Sequence, residues 1–152
     1  MAKNSVRFRL DMPPGLPALL EQLPIELRLK WLPAGIRKGS RIIQKRMKEL
    51  CPKGGPREGE KSGKKHLRDT IGVVQRKYKS GRLLAAYIGP EYPAGAHGHL
   101  VEFGHKGVFG DMSKRVPPKP FARPAFDEKQ GEAHAAIVDE LKRGIESVKT
   151  AK

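Results

Sequence analysis

A chain of 152 residues with 38% hydrophobic side chains is long enough for one domain with a modest core and too short for two. Its single cysteine, Cys51, excludes an intrachain disulfide framework, and no stretch approaches the roughly 18 apolar residues of a membrane span. The formal net charge of +15 is uneven: residues 1–80 hold 20 Lys/Arg against 7 Asp/Glu, residues 81–120 hold 5 against 3, and residues 121–152 hold 6 against 6.

The opening decapeptide MAKNSVRFRL has basic residues but no apolar h-region, so no signal peptide and synthesis in the cytoplasm are expected. Within it Val6, Phe8 and Leu10 alternate with Arg7, Arg9 and Asp11, a period of two that predicts a brief strand, ended by Met12-Pro13-Pro14-Gly15. Residues 16–50 read as a pair of helices. Leu16, Leu19, Leu20, Leu23 and Leu27 recur at helical spacing, and breaks are expected near Pro24 and Pro33. The second piece places Ile36, Ile43, Met47 and Leu50 on one face, with Arg37, Lys38, Arg41, Lys45 and Lys48 around the rest. A basic amphipathic helix suits a membrane surface or a calmodulin-like partner, but this apolar face is narrow, and the favoured reading is a core-facing helix with a wet basic back.

Residues 51–66, CPKGGPREGEKSGKKH, lack a hydrophobic anchor apart from the cysteine and are expected to be a loop or basic arm ordered by a partner. No phosphate-loop pattern is present. Residues 67–89 predict a β-hairpin: Ile71 to Tyr78, a turn at Lys79-Ser80-Gly81, and a return from Leu83 to Ile88, stopped by Gly89-Pro90. So short a hairpin needs a covering layer. One or two helical turns are expected at 96–103, and an extended loop or arm at 105–119. The last helix, 121–148, carries Phe126, Ala133, Ile137, Leu141, Ile145 and Val148 as its apolar stripe, with Gly144 as a slight weakness. The fold class is therefore α+β, one domain over 1–152: a small antiparallel sheet packed against an N-terminal helix pair and a long C-terminal helix, with extended loops.

Chemistry is hard to find. His97, His99, Glu102 and His105 are metal-ligating types, but their spacing matches no recognised zinc site. Cys51 has basic neighbours, which favour a thiolate, yet no partner base is apparent. No nucleophile elbow occurs, so an enzyme is not expected, nor is a cofactor. Zinc-finger, RNP and basic-zipper patterns are missing, and 6% aromatic residues is thin for base stacking. The basic half instead suits the backbone of a nucleic acid or the wall of a channel that carries DNA, against the plainer reading of a charged surface that maintains solubility. DNA-facing candidates are Arg37, Lys38, Arg41, Lys45, Arg46, Lys53, Arg57, Lys61, Lys64 and Lys65.

Three segments carry a family resemblance: SGKKHLRDTI (62–71), LVEFGHKG (100–107) and PPKPFARPAF (117–126). Ser62, Gly63, Leu67, Arg68, Thr70 and Ile71 fit the first element loosely, with Lys64 and Lys65 widening it. Glu102, Phe103 and Gly104 fit the second, and Pro118, Pro120, Phe121, Arg123, Pro124 and Ala125 fit the third well. Over roughly residues 16–150 the chain resembles the tail-component family named after gene product 10 of phage HK97, neck or tail-completion proteins of long-tailed phages. The resemblance implies a structural ring, hexameric by analogy with sixfold tails, at the head–tail junction of a virion. It would contact head-side connector proteins and the tail terminator or tail tube, and its basic half would approach packaged DNA. The motif residues have structural roles in this reading. Glu102 caps or pairs with Arg123, Phe103 packs, Gly104 permits a turn, Phe121 is a stiff anchor between prolines, and Pro124 suits a first helical turn. Two readings compete with it: a stand-alone non-specific nucleic-acid-binding protein, and a small basic nuclease drawing on residues 97–105.

Overall fold

The computed structural model describes residues 25, 27–53, 66–78, 83–106 and 115–150. The expected strand at 6–10, the helical piece and break before Ile25, most of the 51–66 loop and the Lys79-Ser80-Gly81 turn lie outside them. In chain order the elements are a π-helical turn (Leu27–Trp31), α1 (Leu32–Leu50), a 3-10 turn (Leu67–Thr70), β1 (Ile71–Tyr78), β2 (Leu83–Pro90), α2 (Gly98–Phe103), β3 (His105–Lys106), β4 (Arg115–Val116) and α3 (Ala122–Thr150). The fold is α+β, with two small antiparallel sheets and a long C-terminal helix against the N-terminal one.

Pro33 does not kink a helix interior. It is the second residue of α1, at the junction where the π-helical turn Leu27–Trp31 passes into the α-helix, so the irregular turn lies where proline removes an N–H from the ladder. The apolar face of α1 behaves as its spacing predicts: Ile43 and Met47 are buried, and Ile36 and Leu50 half-buried.

The contact between α1 and α3 is set by small residues on both helices. A Cβ at Gly39 would stand 2.7 Å from the carbonyl oxygen of Ala133 and 3.0 Å from Cγ1 of Ile137. Ala125 and Ala133 are buried on the α3 side. Gly144, expected only to weaken its helix, is a seat: a Cβ there would lie 2.5 Å from Cγ of Trp31 and 2.7 Å from Cδ2 of Leu27. The predicted α3 stripe needs correction at Ile145, which is 38% exposed, while Ala122 and Ala125 join the core in its place.

β1 and β2 pair antiparallel from Ile71↔Pro90 to Tyr78↔Leu83, so Gly89 and Pro90 belong to the ladder they were expected to end. Alternation turns Ile71, Val73 and Gln75 toward α1. Two side-chain bonds hold that face: Gln44 Nε2 donates to the Ile71 carbonyl (2.8 Å) and Gln75 Nε2 to the Pro33 carbonyl (2.9 Å). Val74 and Tyr87 are cross-strand partners, both exposed, on the opposite face. Of the expected 105–119 arm, residues 107–114 lie outside the described ones; at its base β3 and β4 form two rungs, His105↔Val116 and Lys106↔Arg115, and Lys119 N–H donates to the Val101 carbonyl (2.8 Å). Ile43, Met47, Cys51, Leu67, Ile71, Phe121, Ala122, Ala125 and Ala133 form the core, where the end of α1, the base of the hairpin and the start of α3 converge.

Two glycine substitutions of opposite sign test this packing. Gly39→Ala should lower stability by about 1–3 kcal/mol by forcing α1 off α3. Gly131→Ala, where a Cβ meets nothing within 4 Å on the same long helix, should raise it by about 0.5–1 kcal/mol. Urea-unfolding midpoints of the two variants read both.

Candidate functional site

A helix of 29 residues begins at Ala122 without an acidic residue in its first turn. Its leading N–H groups need acceptors, and the positive end of its dipole favours an anion. Glu102, the fifth residue of α2, supplies both. Its Oε2 accepts from the backbone N–H of Phe121 (2.7 Å) and Ala122 (2.9 Å), and its Oε1 from that of Arg123 (3.2 Å). The carboxylate is only 5% exposed, and its buried charge is answered by three donors and a helix end. The cap is thus a side chain about twenty residues upstream, and the bond to Arg123 is through its backbone rather than its guanidinium. Asp127 and Glu128, acids of the helix itself, lie beyond the first turn.

The other motif residues gather around this cap. Phe121, 1% exposed, is among the largest fully buried side chains. Pro124 sits in the first turn of α3, and Pro120 is exposed before it. Gly104 has φ +71°, and a Cβ there would meet the Val116 carbonyl oxygen at 2.6 Å, so α2 reaches β3 only through glycine. Phe103 does not pack inward: it is 55% exposed, because the helical turn that buries Glu102 directs the next residue outward.

The basic candidates divide into spent and unspent. Lys38 Nζ pairs with Glu140 on α3 (3.3 Å), and Arg46 pairs with Glu128 on α3 through Nε (2.6 Å) and with Glu49 through Nη1 (3.2 Å). The hydrogen bond from Arg46 holds the Glu128 carboxyl below the usual carboxylate range. Arg37 donates to Oε1 of Gln75 at 3.3–3.4 Å, a neutral partner. Arg41 and Lys45 are exposed and make no ion pair among the described residues. Arg37, Arg41 and Lys45 recur every fourth residue, about 6 Å apart along the axis, and Lys48 falls on the same face. This ridge borders an open depression of about 520 Å³ lined by Ala34, Arg37, Lys38, Arg41, Ile42, Lys45 and Glu140. Lys53 is exposed just beyond α1, and Arg57, Lys61, Lys64 and Lys65 lie outside the described residues.

The His97, His99, Glu102 and His105 quartet does not converge. Glu102 is committed to the helix cap, His99 Nδ1 lies 2.8 Å from the Ala96 carbonyl, and no metal-holding cluster occurs among the described residues. The expectation for Cys51 is reversed. It is 3% exposed, and burial pushes its thiol up to about 11; Arg68 opposes the shift, while Asp69 and Glu102 add to it. Among the described residues no helix is long and apolar enough to cross a membrane.

A family model described as "Bacteriophage HK97-gp10, putative tail-component" matches residues 25–104, just over half of the 152-residue chain. The match takes in α1, the hairpin and the Glu102-Phe103-Gly104 turn, and stops before the PPKPFARPAF segment. No curated protein and no solved structure matches.

Glu102→Ala strands three backbone donors and should cost roughly 2–3 kcal/mol, whereas Glu102→Gln, which keeps acceptor capacity, should cost about 1 kcal/mol. Phe121→Ala should cost roughly 3–5 kcal/mol, and Phe103→Ala, at an exposed site, under about 1 kcal/mol. Denaturation of the four purified variants gives the order; equal losses at Phe103 and Phe121 would contradict the burial described.

Proposed function

The chain belongs to the bacteriophage HK97 gp10-like family of tail components, and from that premise we propose that it completes or connects the tail at the head–tail junction, as a ring of identical subunits around the DNA channel. Its role in the phage tail is structural rather than catalytic. The observation that carries the reading is the family match over α1, the hairpin and the Glu102 turn. A closed ring, hexameric in a sixfold tail, needs two different surfaces on each subunit. Head-side connector proteins and the tail terminator or tube are its neighbours in this proposal. The base of the 105–119 arm, with exposed Phe103 and Val116 beside it, is the proposed contact.

The DNA-facing part rests on charge. Arg37, Arg41, Lys45 and Lys48 line the side of α1 that neither the hairpin nor α3 covers, and no carboxylate neutralises Arg41 or Lys45 among the described residues. A flexible cationic ridge without aromatic platforms contacts phosphates and does not read bases.

Electron microscopy of lysates from phage lacking the gene should show filled heads and separate tails, rejoined when the intact gene is supplied. Fully joined, infectious particles would reject the junction role and favour the stand-alone nucleic-acid binder. The DNA contact is read separately. In binding of the purified protein to a short duplex, Arg41→Ala with Lys45→Ala should reduce the slope of log K against log salt by about 2, near 0.9 per lost phosphate contact. An unchanged slope would remove the ridge from the DNA path.

A further inference from the structure

A second depression, about 420 Å³, lies between the start of α1 and the turn end of the hairpin, at Lys77 and Leu84. It is lined by the apolar side chains of Leu29, Pro33, Ala34 and Leu84 and by Lys30, Arg37 and Lys77, with Gln75 held to Pro33 and Arg37. Among the described residues no carboxylate lines it. Leu29 is 55% exposed and Ile25, one turn earlier, 67% exposed, so the apolar surface continues past the depression. A DNA backbone rewards cations and hydrogen-bond donors and leaves the four apolar side chains of this lining unused. Three cations around aliphatic side chains instead complement a polypeptide that alternates acidic and apolar residues. The adjoining sheet has only two strands, so among the described residues each strand has one edge without a neighbour in the ladder, where an extended segment can add.

We propose that this groove is a docking site for an acidic, apolar-alternating extended segment of a second protein, its apolar side chain seated on Leu29, Pro33 and Leu84 and its carboxylates on Lys30, Arg37 and Lys77. A further copy of this chain is a poor occupant of this groove, because nowhere in its sequence do two acidic residues flank a single apolar side chain. The groove shares Ala34 and Arg37 with the ridge depression, so the two sites adjoin on α1 while accepting different ligands. The assignment stands whether or not the subunits close into a ring.

Fluorescence anisotropy of the full chain with a labelled octapeptide of alternating glutamate and leucine tests it, beside two control peptides carrying serine for leucine or lysine for glutamate. The glutamate–leucine peptide should saturate below about 1 mM, and each control should bind at least about tenfold more weakly. Leu29→Ser and Lys77→Glu, both at exposed positions, should each weaken the peptide by at least about fivefold, whereas Arg41→Ala with Lys45→Ala should leave it within about twofold. Absence of saturation would overturn the proposal. So would equal binding of the serine peptide, since charge alone would then suffice and the groove would be an extension of the DNA ridge. Neither result depends on whether particles join in the absence of the gene.

Discussion

Everything at the C-terminal side of the molecule depends on one carboxylate. Glu102 leaves water to meet the N–H groups at the head of α3, and a buried charge is tolerated only because those donors are fixed in place. The geometry is cooperative. Gly104 must adopt a positive φ for the chain to turn away after α2, Phe121 must drop into the core for its N–H to face the carboxylate, and α3 must start at Ala122. Each condition is met by a residue of the EFG and PPKPF segments. Those segments are therefore one structural device separated in sequence, which accounts for their shared presence without any reference to catalysis.

The second constraint is the closeness of α1 to α3. Gly35 and Gly39 on α1 and Ala133 on α3 bring the backbones together, while Gly144 seats the Trp31 and Leu27 side chains of the preceding turn. Once α3 occupies that face and the hairpin the next, a single side of α1 is left to water, and the cations fall on it. Lys38 and Arg46 lie at the seam, paired with Glu140 and Glu128 on α3, so each charge is answered by its own partner rather than projecting a field. The ridge of Arg37, Arg41 and Lys45 is what remains. Its charge is a consequence of which faces are covered, as much as of composition.

Much of this was legible in the residues. Periodicity placed α1, the hairpin, the turn before Gly104 and α3, because each buries one face and the pattern of burial is what periodicity records. Glu102 was legible as a cap, Phe121 as an anchor and Gly104 as a turn, since each residue type has a narrow set of uses. Three things were not. The seats at Gly39 and Gly144 look like weak points in isolation and become close contacts only when the partner helix is present. Phe103 reads as a core residue by type, but its neighbour Glu102 takes the inward position, and adjacent helical residues cannot share a face. The basic neighbours of Cys51 suggested a thiolate, but the thiol is buried and desolvation outweighs Arg68. For the glycine seats and for the thiol the deciding partners are distant in sequence; for Phe103 it is the distant helix end that claims Glu102.

The non-local cap also bears on vectorial synthesis. The family match ends at Gly104, yet Phe121, Ala122, Ala125 and Ala133, four of the nine residues of the buried core, come from beyond it. A nascent chain that has left the ribosome only as far as the matched boundary holds a carboxylate with no helix to close and a glycine-faced helix with nothing to lie against. Closure of the core therefore waits for residues 121–150, which bring the N–H groups that Glu102 caps and the helix that α1 lies against.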